Sequence, residues 1–123
     1  MPFIDINCDM GEIHALAADG TQAALLKSVS SVNVSCGAHA GDEALIEQTI
    51  RDAVAAGVAV GAHPGYPDPA NFGRIALPMT IAALTESIRG QLEFFEKIAN
   101  RYGAQVAHVK PHGALYNVAV KDQ

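Results

Sequence analysis

The stretch Ala107-His108-Val109-Lys110-Pro111-His112-Gly113-Ala114-Leu115-Tyr116-Asn117 concentrates two imidazoles, an ammonium, a phenol and an amide within a few positions. Imidazoles titrate near neutrality and ligate metals, and a lysine attracts carboxylate or phosphate, so this set could move protons or hold an anion. Pro111 and Gly113 fix the backbone between them. An isolated His-x-x-x-His arises by accident in surface turns. Its weight here comes from three further polar groups that each follow a short, partly apolar run: Asp9 with Glu12, His39 with Asp42, and His63 with Asp68. Arg74, whose planar fork suits a carboxylate or phosphate, closes a loop stiffened by Pro64, Pro67 and Pro69.

The runs that must position these groups share one grammar. Phe3 to Asp9 alternates, with Ile4, Ile6 and Cys8 on one side and Asp5, Asn7 and Asp9 on the other. Ser31 to Cys36 repeats it, setting Val32, Val34 and Cys36 against Ser31, Asn33 and Ser35. In the third run, Val58 to Ala62, small residues on the second face leave room, and in the fourth, Gln105 to Val109, His108 shares a face with Lys110. Between the runs the pattern predicts helices: a short one over 23–29, one over 43–56 capped by Asp42 and ended by Gly57, and a long one from a Thr80 cap to Tyr102. Asp42 reads equally as cap and as functional acid, because a helix N-terminus also favours anions. A further helix starts at about Ala114.

Composition narrows the function classes. At 123 residues and 50% hydrophobic content, one β/α domain spanning 1–123 is expected. Net charge is −5 with scattered basic residues, which argues against a nucleic-acid partner, and no apolar run reaches the roughly 20 residues of a membrane span. Two cysteines, Cys8 and Cys36, without a secretory leader point to the cytoplasm.

Strands separated by helices give a parallel sheet with right-handed crossovers. Parallel strands covered on both faces read as continuous apolar runs, whereas each of these keeps one polar face. Curling the sheet into a barrel or half-barrel resolves the conflict, with the apolar side against helices and the polar side lining a cavity. The strand C-terminal ends then converge on one rim, where β/α barrels place their chemistry.

The segments 5–12, 31–42, 61–68, 72–74 and 108–117 resemble the LamB/YcsF lactam-utilisation family in the same order along the chain. That resemblance implies a deformed, TIM-like parallel β/α barrel akin to the polysaccharide-deacetylase fold, of which this chain would be about half, the N-terminal half. It also implies the activity of the A subunit of ATP-dependent 5-oxoprolinase, opening the lactam of 5-oxoproline to L-glutamate together with B and C subunits. This chain departs from the family at Ile13 to Ala18, where aromatics are usual, at Thr21-Gln22 in place of an acidic pair, and at Ala38 and Glu43 in place of Phe and Pro. A half-barrel would leave an apolar flank open to self-association.

On this reading Asp9 or His39 is the general base for water, Lys110 and Arg74 meet negative charge on the substrate carboxylate or transferred phosphate, and His112 orients the substrate and joins the catalytic set. Asn7, Glu12, Asn33, Asp42, His63 and Tyr116 complete the substrate-binding set. No Gly-x-x-x-x-Gly-Lys-Ser/Thr loop is present, which assigns ATP handling to the partner subunits. The competing expectations are a deacetylase-like metal hydrolase of amide bonds, its divalent ion held by ligands drawn from Asp9, His63, His108 and His112, and a truncated piece that acts only by association.

Overall fold

Four short parallel strands carry the polar groups. In the computed structural model, which describes residues 2–122, β1 (Asn7–Met10), β2 (Ser31–Ser35), β3 (Ala59–His63) and β4 (Val106–Val109) form one sheet in the order β1-β2-β3-β4. The helices α1 (His14–Ala18), α2 (Thr21–Leu26), α3 (Glu43–Ala55), α4 (Ile81–Arg101) and α5 (Gly113–Lys121) complete it, with a single 3₁₀ turn at Pro69–Asn71. The sheet is an open arc rather than a closed barrel, and β1 and β4 are its edges.

Register places like with like. Asp9 lies beside Asn33 and Asn33 beside Gly61, while Met10 lies beside Val34, Val34 beside Ala62, and Ala62 beside Val109. The alternation expected from sequence holds through β1, β2 and β3, with one face a polar row and the other greasy; in β4 the register shifts, so that Val106 and Val109 both lie beside the greasy face of β3. The greasy face packs Val32, Val34, Cys36, Val60 and Ala62 against Ile46, Ile50 and Ala53 of α3 and Phe95, Ile98 and Ala99 of α4. Each large apolar side chain buried there contributes about 1.5–3 kcal/mol. Asp42 caps α3 by accepting from the Leu45 N–H at 2.9 Å, and Thr80 caps α4 by accepting from Ala83 at 3.1 Å.

The structure corrects some boundaries. The first strand begins at Asn7 rather than Phe3, because β2 offers partners only from Ser31 onward, and Phe3 and Ile4 stay exposed. The short helix sits at Thr21–Leu26 rather than 23–29, started by Gly20 in a left-handed conformation, and His14–Ala18 forms a helical turn that the sequence pattern does not announce. His63 closes β3 instead of opening the loop after it. Among the described residues no helix is long and apolar enough to cross a membrane, and Cys8 and Cys36 are free thiols.

Candidate active site at the strand C-terminal rim

Two polar assemblies occupy the cavity side of the sheet, and they differ in how their atoms are partnered. The first runs across the strands. The Asn33 side chain, 1% exposed, has its whole hydrogen-bonding capacity filled. Its Oδ1 accepts from Asn7 Nδ2 at 3.1 Å and from His108 Nε2 at 2.6 Å, and its Nδ2 donates to Asn7 Oδ1 at 2.5 Å and to Asp9 Oδ1 at 2.9 Å. Lys110 Nζ donates to the same Asp9 oxygen at 3.1 Å. At the other end, Asp5 accepts from Ser30 and Ser31. Gly61 makes the row possible: a Cβ there would lie 2.1 Å from His108 Nε2.

The second assembly sits at the rim. Glu12 follows β1, His39 follows β2, His63 ends β3 and His112 follows β4, and one ligand-capable atom from each lies within 4.8 Å of the others. The His39 and His112 rings stack at 3.7 Å, nearly parallel, and both meet His63 edge-on. His39 Nε2 contacts Glu12 Oε2 at 2.5 Å, and His39 Nδ1 is buried without a partner. Gly65 and Gly73 press against the His39 ring, where a Cβ would come within 2.9 Å of Nδ1 and 2.8 Å of Cβ. Gln91 of α4 clamps Gly65 through both its N–H and its carbonyl, which fixes that loop.

Main-chain carbonyls set the tautomers of the other two rings. A carbonyl oxygen only accepts, so the ring nitrogen facing it carries the hydrogen. His63 Nδ1 lies 2.6 Å from the Lys110 carbonyl and His112 Nε2 lies 2.7 Å from the Phe72 carbonyl. Phe72 is the one non-glycine residue with positive φ among the described residues, a local strain that aims its carbonyl at His112. Burial lowers the pKa of His112, favouring the neutral ring. The remaining nitrogens, His63 Nε2 and His112 Nδ1, face each other at 2.9 Å.

An open pocket of 380 Å³ begins at this rim, lined by Asp9, His63, Lys110, His112 and Tyr116 together with Asn117. Asn33 Nδ2 and Lys110 Nζ both donate to Asp9 Oδ1 and favour its ionised form. A carboxylate, an ammonium and two imidazoles on one wall can bind an anionic substrate and accept a proton from water.

Of the residues singled out from sequence, the structure brings Asp9, Glu12, His39, His63, Lys110, His112 and Tyr116 to this region, with Asn7 and Asn33 beneath them. Asp42 lies outside, capping α3 and paired at 2.8 Å with the exposed His14. Arg74 is exposed and stands 5.0 Å over the Phe72 ring, beside α5 rather than in the pocket. His108 Nε2 is engaged by Asn33 and does not join the rim group. Phe72 and Gln91 escape sequence reasoning, since one acts through its carbonyl and the other through a loop backbone; the Phe-Gly pair at 72–73 is the only local signal.

Comparison with known proteins adds independent findings. Residues 4–123 match the model of the LamB/YcsF family. The chain is 47% identical over 119 residues to a protein of Chloroflexus aggregans named as the A subunit of 5-oxoprolinase, covering 97% of this chain and 47% of that protein. It is 48% identical to a protein of the same name from Kocuria rhizophila, covering 98% and 48% respectively. The crystal structure of a lactam utilization protein from Thermus thermophilus superposes with a TM-score of 0.90 at 39% identity, over 97% of this chain and 48% of that one. The chain thus spans about half the length of the relatives it matches.

Proposed function

The chain belongs to the LamB/YcsF family, and on that premise we propose that it supplies the lactam-binding half-site of an ATP-dependent 5-oxoprolinase, acting as the A component beside B and C subunits. The observation that carries this reading is the pocket wall itself: Asp9, Lys110, His63 and His112 meet at the end of the polar row, in a protein whose relatives bear the 5-oxoprolinase name.

A lactam carbonyl is a poor electrophile, and ATP coupling is explained if the γ-phosphoryl group is transferred to the lactam oxygen. Water then adds to the ring carbon, losing a proton, and the ring nitrogen leaves with a proton, giving an acyl phosphate of glutamate. A second water releases phosphate and leaves glutamate. Lys110 offsets negative charge on the substrate carboxylate or the phosphoryl oxygens. Asp9, held ionised by Asn33 and Lys110, faces the pocket and accepts the proton from water. His39 is buried with its Nε2 engaged by Glu12, so the choice between Asp9 and His39 falls to Asp9 as the group facing substrate.

The chain offers no phosphate loop for ATP, which suits nucleotide binding on partner subunits, and its free thiols suit a reducing cytoplasm. The open edges at β1 and β4, with Ile6, Val106 and Val109 partly exposed, suit pairing with the remainder of a longer family fold or with a second copy. The test is ATP-dependent glutamate release from 5-oxoproline, measured with the chain alone and with both partner subunits. Release only in the complete mixture supports the reading; no release from a mixture whose other components are active rejects it.

A further inference from the structure

The rim assembly has too many electron pairs pointing at one place. His63 donates its Nδ1 hydrogen to the Lys110 carbonyl and His112 donates its Nε2 hydrogen to the Phe72 carbonyl, so the two nitrogens facing each other at 2.9 Å both present lone pairs. Glu12 Oε2 lies 3.6 Å from His112 Nδ1, and Asp9 Oδ2 lies 3.5 Å from His63 Nε2. The acceptor atoms of Glu12, His63 and His112 converge within 4.8 Å of one another, and the donor that reaches them, His39 Nε2, is spent on Glu12. Only a cation resolves this. A single proton held on one of the two facing nitrogens relieves that contact alone and leaves Glu12 Oε2 3.6 Å from the His112 Nδ1 lone pair.

We propose that Glu12, His63 and His112 bind one divalent first-row transition-metal ion, with His39 as the positioning residue that fixes Glu12. The donor set is two imidazoles and a carboxylate, which Zn²⁺ and its neighbours favour. Two nitrogens each about 2.0–2.1 Å from one ion stand roughly 3 Å apart when the angle between them is near 90°. The observed 2.9 Å matches that edge and is a few tenths of an ångström short of the roughly 3.3 Å of a tetrahedral ion, a gap that a small outward turn of the rings closes. Both histidines already show the outer-sphere partner that ligating rings usually have, a main-chain carbonyl on the far nitrogen. His39 Nε2 donates to Glu12 at 2.5 Å, which holds that carboxylate in place and leaves Nδ1 as the one unpartnered buried side-chain atom among the described residues. The pocket on the other side, open to solvent, gives an ion an entry path and a free coordination position. An ion held there would supply Lewis acidity toward a bound water.

This site follows from tautomers and distances and is independent of the ring-opening reading, so the two can fail separately. The test uses the full chain with any affinity tag removed, stripped with chelator and titrated with Zn²⁺ or Co²⁺ in the absence of ATP and partners. The expected result is one ion per chain by elemental analysis after dialysis, and visible d–d bands with Co²⁺. Glu12→Gln should weaken binding by at least about 10- to 100-fold, the loss that follows when even an outer-sphere partner of a ligand is removed, and His112→Ala should remove it. His14→Ala, which changes an exposed histidine elsewhere, should bind as the parent does. Glu12→Gln preserves shape and keeps the test valid if His112→Ala fails to melt cooperatively. Substoichiometric binding by the parent, parent-like binding by Glu12→Gln, or an imidazole–imidazolium proton signal that persists in excess Zn²⁺ would overturn the proposal.

Discussion

The two polar assemblies on the cavity side of the sheet are neighbours and opposites. Along the strands, Asn33 fills every donor and acceptor it has, and Asp5 gathers two hydroxyls. At the rim, lone pairs face lone pairs, one buried nitrogen has no partner, and Phe72 is held at positive φ. A satisfied buried network fixes structure, because removing any member strands the rest. An unsatisfied one is tolerated only where something else is to bind or react. The contrast divides polar residues that look alike in sequence into those whose partners are all within the sheet and those left open to a ligand.

That division is broken or sharpened most strongly by comparing His112→Ala with Asn33→Ala. In the reconstituted ATP-dependent assay, His112→Ala should lower turnover by about 100-fold or more while the chain still melts cooperatively. Asn33→Ala should do the reverse in order of importance, destabilising the fold by about 1–3 kcal/mol in urea unfolding, since it opens a gap at a buried position and takes from His108, Asn7 and Asp9 their shared partner. If Asn33→Ala is fully stable and His112→Ala fully active, the two assemblies have been assigned to the wrong tasks.

Why the strand row is easier to read than the rim is a matter of range. Parity is local: Asn7 and Asp9, or Ser31 and Asn33, sit two residues apart and must share a face once a strand forms. The four-strand order and the polar cavity face follow from that, as do the caps at Asp42 and Thr80 from the residues that start each helix. The rim depends on loops, and the pairs that meet there, Glu12 with His39 and Phe72 with His112, stand 27 and 40 residues apart along the chain. Sequence marks Glu12 and His63 as substrate groups and His108 as a possible ligand, but only the Gly61 gap and the Asn33 amide decide that His108 turns into the row. Nor can periodicity show that Arg74 lies over Phe72 and away from the pocket, because a proline-rich loop has no repeating geometry.

Gly61 offers a smaller test on the row side. Adding a Cβ would place it 2.1 Å from the His108 ring, so Gly61→Ala must push His108 off Asn33. Overpacking of this kind costs about 1–3 kcal/mol. A Gly61→Ala, His108→Ala double variant should recover part of that loss, because the clashing ring is gone; equal destabilisation in single and double variants would mean the clash is relieved some other way.

The smallest expected effect concerns Asp5, at the exposed end of the same row. Hydrogen bonds from Ser30, then Ser31, lower its pKa below the ordinary aspartate value, with a further contribution from His108. A carboxylate whose folded pKa is depressed adds stability above its unfolded pKa, about 3.9, and that contribution is lost as pH falls through the lower folded value. Asp5→Asn removes the titration while keeping an acceptor for the hydroxyls. Parent and variant should therefore differ most in thermal midpoint at neutral pH and converge as the solution is acidified below about pH 4, near the unfolded carboxylate pKa. A gap that stays constant across that window would show that Asp5 contributes through shape alone, and that the row is held by its amides and not by its charges.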